Sequence, residues 1–124
     1  MNALLVVCIL LLAGCSGSDS YRGSWKATDM GGNKFDILFD AKSFEIKDTT
    51  GKAVTFDYTQ NSVKIENSIR TYGLHLADGR VYNLRFPFAN DTGKALILLE
   101  NNEPIYTISR DSYIEYKDIY DLMK

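Results

Sequence analysis

The chain has 124 residues, a formal net charge of −2 and a pI near 5.3, and this mildly acidic balance argues against nucleic acid as a partner, because phosphates require a basic face. One histidine and two cysteines give no cluster with metal-ligand spacing, so the sequence predicts neither a metal site nor a cofactor. No nucleophilic motif such as G-x-S-x-G occurs, and we therefore expect a protein that is not an enzyme.

The N-terminus carries a short apolar run over residues 3–12, a length typical of a signal-peptide core and too short for a bilayer span of about 20 residues. The sequence L-L-A-G-C that follows at 11–15 resembles the lipobox of bacterial lipoproteins. This resemblance implies that residues 1–14 are a signal peptide and that Cys15 is acylated and attaches the protein to a membrane. The alternative is a buried N-terminal helix, which a chain this small could hardly surround with protein.

Residues 15–20 are predicted to be the lipidated cysteine and a flexible tether, because S-G-S-D-S is small and polar. Cys8 leaves with the signal and Cys15 carries lipid, so the folded body has no thiol for a disulfide. We expect the bacterial cell envelope as the location. In diderm bacteria resembling the enteric ones, a residue other than Asp after the lipidated cysteine, here Ser16, implies the outer membrane.

A single domain over residues 21–124 follows, in which short runs of alternating apolar and polar residues indicate strands. We predict nine strands, near 23–28, 34–40, 43–47, 53–59, 63–67, 70–76, 81–88, 95–100 and 105–109. The connections have hairpin length, which predicts an antiparallel up-and-down meander and excludes parallel crossovers. Such a meander most simply closes on itself, so the expected fold is mainly β, a small up-and-down barrel or a half-open one.

The last segment changes to helical spacing and predicts an α-helix over residues 112–124. Ser112 and Glu115 fit a capping box. The apolar stripe consists of Tyr113, Tyr116, Ile119, Tyr120 and Met123. We expect this stripe to pack on the outer wall or across one end of the barrel. The alternative is a partner-binding surface, since tyrosine is enriched at interfaces.

The first predicted strand opens with Y-R-G-S-W-K-A-T, which resembles the G-x-W signature of lipocalin-like proteins, with Gly23 and Trp25 in the matching places. The resemblance implies a lipocalin-like barrel in which the tryptophan closes the floor and a late arginine packs over it. Arg110 is the matching arginine, and Arg85 is the second candidate. The other interpretation of Trp25 is an ordinary core residue at the start of a sheet.

The inward-facing residues of the predicted strands could line a ligand pocket or simply fill the barrel. They include Phe35, Ile37, Phe39, Phe44, Ile46, Phe56, Tyr72 and Leu84. An eight-stranded barrel is only just wide enough for its own side chains, which favours the filled interior. We therefore predict no continuous internal cavity of the roughly 300 Å³ or more that small-molecule sites need, and we expect contacts through residues 89–94 or the helix.

The function expected from these features is a lipid-anchored, non-enzymatic binding module that acts through a protein partner. The alternatives are a periplasmic inhibitor or immunity-type lipoprotein, a structural subunit of an envelope complex, and a lipocalin-like carrier of a small apolar ligand. Lysozyme-inhibitor lipoproteins share the size, lipobox and barrel, but their S-G-x-x-Y loop and paired cysteines are missing here. His75 alternates with Leu74 and Leu76, which favours an exposed or structural histidine.

Overall fold

The fold is a closed antiparallel barrel of eight strands in chain order, followed by one short helix, as seen in a computed structural model that describes residues 17–123. The strands are β1 (Gly23–Asp29), β2 (Lys34–Phe39), β3 (Ser43–Asp48), β4 (Ala53–Glu66), β5 (Ile69–Leu76), β6 (Val81–Phe86), β7 (Lys94–Leu99) and β8 (Pro104–Ser109), and the helix is α1 (Tyr116–Met123). This architecture confirms the predicted fold class and is consistent with a small lipocalin-like barrel. The predicted signal peptide and Cys15 lie outside the described residues.

Alternate hairpins lie at opposite ends of the barrel. The upper end is formed by residues 29–33, 48–52, 77–80 and 100–103, and the lower end by residues 17–22, 40–42, 67–68 and 87–93. Two turns at the upper end begin with an aspartate whose carboxylate accepts backbone N–H groups of the turn, Asp29 from Gly31 and Asp48 from Thr50. These bonds give the backbone N–H groups of the turns an acceptor, since the neighbouring strands offer them none.

Eight strands form where nine were predicted, because the two runs predicted at 53–59 and 63–67 are one strand of 14 residues. A bulge between Gln60 and Ser62 shifts the register without ending the β4–β5 ladder. Opposite the bulge, Ser62 pairs with Gly73, where a Cβ would collide with the serine hydroxyl. The polar triplet Q-N-S therefore marks a bulge rather than a turn.

The stagger of the strands explains the width of the barrel. Followed from pair to pair through β3, β2, β1, β8 and β7, with the β6–β7 ladder extended by two pairs and the β5–β6 ladder by one, a circuit that leaves β4 at Ala53 returns to it at Glu66, 13 residues later. One of those residues is the bulge, so the stagger is 12 residues. Strand number and stagger together set the barrel radius, and this large stagger makes a wide interior that needs bulky side chains to fill it.

Aromatic side chains fill that interior. The core cluster contains eleven of them, of which eight are buried and three, Phe35, Phe56 and Tyr106, are half-buried. Their rings contact one another: Phe39 lies 5.2 Å from Tyr21 and 5.1 Å from Phe44, measured between centroids. Edge-to-face and tilted contacts of this kind pack the space between the walls with rings.

Helix α1 lies on the outer wall. Ile119 is fully buried and forms a second apolar cluster with Leu96 and Leu98, which point outward from β7. The helix begins at Tyr116 rather than at the predicted residue 112, because the capping pair is Glu115 and Asp118: the Glu115 backbone N–H donates to the Asp118 carboxylate at 2.9 Å. The predicted Ser112–Glu115 box is therefore wrong by three residues.

Candidate functional site

Trp25 and Arg110 close the lower end of the barrel together. Trp25 is 1% exposed, and its indole N–H donates to the Tyr21 carbonyl at 2.8 Å. The Arg110 guanidinium stacks over the indole, 3.8 Å from its centroid, and donates to the carbonyls of Ser24 (3.0 Å) and Arg22 (2.9 Å). Desolvation there lowers the pKa of Arg110 from its ordinary value. Because carbonyls and an indole ring engage the guanidinium, Arg110 has a structural role at this end of the barrel.

Gly23 makes this stack possible. Its φ is +101°, and a Cβ at this position would lie 3.2 Å from an Arg110 nitrogen. A side chain would therefore strain the backbone and crowd the arginine. Arg85, the second arginine considered, lies elsewhere, on the outer wall of β6, where it donates to the Thr71 hydroxyl at 3.2 Å.

Residues 17–20 bind to the barrel, in contrast to the flexible tether predicted for this stretch. The Gly17 N–H donates to the Ala41 carbonyl at 2.6 Å, and the Ser18 N–H donates to Oε1 of Gln60 at 3.0 Å. The same oxygen accepts the hydroxyl of buried Tyr21 at 2.7 Å. Burial, reinforced by Tyr58 nearby, raises the pKa of Tyr21 above its ordinary value. Residues 17–20 therefore belong to the folded domain and form part of its lower end.

The residues predicted to face inward all belong to the core cluster or pack against it. Ile37, Phe39, Phe44, Tyr72 and Leu84 are buried, and Phe35, Ile46 and Phe56 are half-buried. They contact one another and other barrel side chains, so they serve as packing residues in this structure. The two depressions described below lie on the outer wall, to which the opposite face of each strand points.

One depression, with a volume of about 350 Å³, lies over β1, β2 and β3. We call it the outer groove. Its lining includes Ser24, Lys26, Asp36, Leu38, Glu45 and Lys47, which alternate along their strands with the core residues. Leu38 is 41% exposed, so an apolar side chain lies on the floor between charges of both signs.

Tyr113 borders the outer groove from the segment that precedes α1. Its hydroxyl donates to Oδ1 of Asp36 at 2.6 Å, and the ammonium groups of Lys26 and Lys34 lie 5.1 and 5.4 Å from its ring centroid. The hydrogen bond to Asp36 raises the pKa of the Tyr113 hydroxyl. The ring is 36% exposed and, with Leu38, gives the groove a second apolar element within a charged rim.

The sequence did not predict this grouping, although one signal was present. Asp36 and Leu38 occupy the solvent face of β2, and an apolar residue on such a face is what marks an exposed contact surface. The approach of Tyr113 could not be foreseen, because the spacing of the last segment predicts a helical position for it, whereas the helix begins at Tyr116. The sequence predicted contacts through the helix and through residues 89–94. In the helix, Ile119 is buried and Tyr120 is 48% exposed. In the loop, Lys94 forms an ion pair with Asp91 at 2.8 Å.

A second depression, of about 510 Å³, lies over the outer wall of β4, β5 and β6 and is lined by polar side chains such as Lys64, Thr71, Asn83 and Arg85. It lacks an aromatic side chain among its lining residues. Within residues 17–123, no group of three or more His, Cys, Asp or Glu side chains could hold a metal ion. His75 lies exposed on the outer face of β5.

Among the described residues, no helix is long and apolar enough to cross a membrane. Comparisons with protein families, curated proteins and solved structures gave no match for this chain.

Proposed function

We propose that this protein is a membrane-anchored bacterial lipoprotein whose barrel is a non-enzymatic binding module of the cell envelope, and that it binds a protein partner through its outer wall. The observation that carries the proposal is the filled interior: eleven aromatic side chains occupy the space in which a carrier would hold a ligand. Contact with another molecule then falls to the outside of the barrel. The lipobox-like sequence ending at Cys15 supports the anchor.

The outer groove is the surface that we propose for this contact. Exposed Leu38 and Tyr113 are surrounded by charges of both signs, including Lys26, Asp36 and Glu45. Apolar and aromatic centres within a polar rim are typical of protein interfaces. Because positive and negative charges are balanced in the groove, it should not attract a polyanion such as a nucleic acid. A small apolar molecule would remain largely exposed in so open a groove and would bind weakly.

The test of the contact is photo-crosslinking in cells of the intact protein, with a benzophenone amino acid in place of Leu38. Val54 provides the control, because it is 48% exposed but lies near the upper end of the barrel and away from the groove. We expect a protein adduct of defined mass from position 38 and none from position 54. Equal adducts from both positions, or adducts with lipid alone, would contradict a protein partner at the groove.

The anchor is tested separately by Cys15→Ser. We expect this substitution to abolish both acyl labelling and membrane association, because one residue carries the whole covalent attachment. A variant that still fractionates with membranes at high salt would refute the lipobox interpretation. Identification of the crosslinked partner from its peptides then distinguishes two roles. A hydrolase or toxin is expected for an inhibitor or immunity protein, and another envelope subunit is expected for a structural component.

A further inference from the structure

In the β4–β5 hairpin, β4 extends beyond β3 at the lower end of the barrel, whereas β5 stays paired with β6 as far as Arg70. β3 pairs with β4 only as far as Asp57, whereas β4 continues for nine more residues to Glu66, paired on one side with β5. Nine residues of strand correspond to about 30 Å. The two-residue turn, with Asn67 and Ser68 both at positive φ, therefore lies past the ends of β2 and β3.

The hairpin carries an apolar face that the barrel does not cover. Val63 pairs with the inward-pointing Tyr72, so Val63 and Ile65 continue the inner wall of the barrel past the core. Val63 is 49% and Ile65 is 62% exposed. Arg70, the exposed partner of Ile65 across the ladder, adds a positive charge beside them. Apolar side chains that are grouped on an exposed surface in this way are typical of a contact with a protein, a ligand or a membrane.

The N-terminus reaches the same end of the barrel. Gly17 is bound to Ala41 and Ser18 to Gln60, three residues before Val63 on the same strand. Two residues of chain span at most about 7 Å, so a lipid on Cys15 can be no further than that from Gly17. Because residues 17–20 are bound and not a free tether, the domain cannot move far from the membrane or turn freely above it.

We propose that Val63 and Ile65 rest in the lipid surface to which Cys15 is attached, so that the hairpin is a second membrane contact and fixes the orientation of the barrel. This inference rests on the proposed lipid anchor. The lower end then faces the membrane and the upper end points away from it. Arg70 and Lys64, both exposed, lie where lipid phosphates are found, and Glu66 is paired with Lys64 at 3.7 Å.

The experiment compares two valines of one strand. Val54 and Val63 both lie on β4 with 48% and 49% exposure, but at opposite ends of the barrel. The full chain is produced in cells with Val54→Cys, Val63→Cys or Ile65→Cys, and the lipidated protein is labelled with an environment-sensitive fluorophore. It is then reconstituted into vesicles of phosphatidylethanolamine and phosphatidylglycerol, with or without a spin-labelled lipid that quenches the probe. With Cys15 acylated, the introduced cysteine is the reactive thiol of the mature chain.

We expect probes at 63 and 65 to shift to shorter wavelength and to be quenched several-fold more strongly than the probe at 54. The contrary result is a protein whose mass shows the acyl chains but whose probes at all three positions emit as in water and are not quenched. It would overturn the membrane contact and leave the anchor intact. Shielding of 63 and 65 that appears only when a second protein is added would overturn it too. A mature protein without acyl chains would refute the anchor and this inference together. Far-UV circular dichroism of each variant checks that the barrel has folded.

Discussion

Replacement of Trp25 by alanine tests the closure of the lower end most directly. Truncation of a buried aromatic side chain costs about 3 to 5 kcal/mol, and the upper part of this range applies because three interactions are lost at once. The ring packs against Phe86 at 6.1 Å between centroids, stacks under Arg110 at 3.8 Å, and donates a hydrogen bond to Tyr21 at 2.8 Å. We expect a loss of about 4 to 5 kcal/mol in the free energy of unfolding.

That loss is a large part of the roughly 5 to 15 kcal/mol by which a domain is stable. At about 4 to 8 °C per kcal/mol for a domain of this size, the midpoint of thermal unfolding should fall by roughly 20 to 30 °C. The assay is guanidinium unfolding followed by far-UV circular dichroism, since Trp25 is the only tryptophan and its fluorescence is lost with it. A loss below about 1.5 kcal/mol would refute the reasoning.

Arg110→Lys provides the control for the stack. Lysine keeps the charge but cannot form the paired hydrogen bonds to the carbonyls of Ser24 and Arg22. We expect a loss of about 1 to 2 kcal/mol for this variant alone. Combined with Trp25→Phe in a double-mutant cycle, it should give a coupling energy of about 1 kcal/mol, whereas additive effects would show that the two side chains do not interact energetically.

Three further outcomes can be measured by chemical unfolding. Ile119→Ala should lower the free energy of unfolding by about 2 to 4 kcal/mol, because its side chain is 0% exposed. Tyr120→Ala, next to it but 48% exposed, should lower it by less than about 1 kcal/mol. Equal losses would contradict the packing of α1. Ser68→Gly should stabilise the protein by about 0.5 to 1 kcal/mol, since Ser68 has φ +68° and glycine adopts this conformation without a penalty; a loss would argue against the hairpin turn. Burial raises the pKa of Tyr21, so the unfolded chain releases this proton near pH 10 while the folded protein retains it. The contribution of Tyr21 to the free energy of unfolding should therefore be fully present below about pH 10 and decrease as the pH rises above it. Tyr21→Phe should make the free energy of unfolding depend less steeply on pH in this range. An unchanged pH dependence would exclude Tyr21 as its cause.

The barrel could be predicted from sequence because alternation and turn chemistry act locally. Runs such as Phe35, Ile37 and Phe39 place one face inward, and hairpin-length connections leave an antiparallel meander as the simple solution. The merging of two predicted strands into β4 could not be predicted. A polar triplet is compatible with a turn or a bulge, and only the pairing of Ser62 with Gly73 decides between them.

The errors near the chain ends have the same origin. The spacing that fits a capping box is met by Ser112 and Glu115 and again by Glu115 and Asp118, so local pattern cannot choose the start of α1. The docking of residues 17–20 depends on backbone N–H groups, which every sequence possesses, and composition therefore does not reveal it. The outer groove depends on where Tyr113 comes to lie, which is a tertiary property.

The pairing of β1 with β8 also has a consequence for the order of events in biosynthesis. Lys26 and Ser109 face each other across this seam although 83 positions separate them along the chain. A nascent chain that stops before Pro104 leaves β1 and β7 with unpaired edges, so the cylinder cannot close until synthesis is almost complete. Such distant pairings also form slowly, within milliseconds to seconds for β-rich domains. The barrel therefore cannot complete its fold during synthesis until β8 has been made.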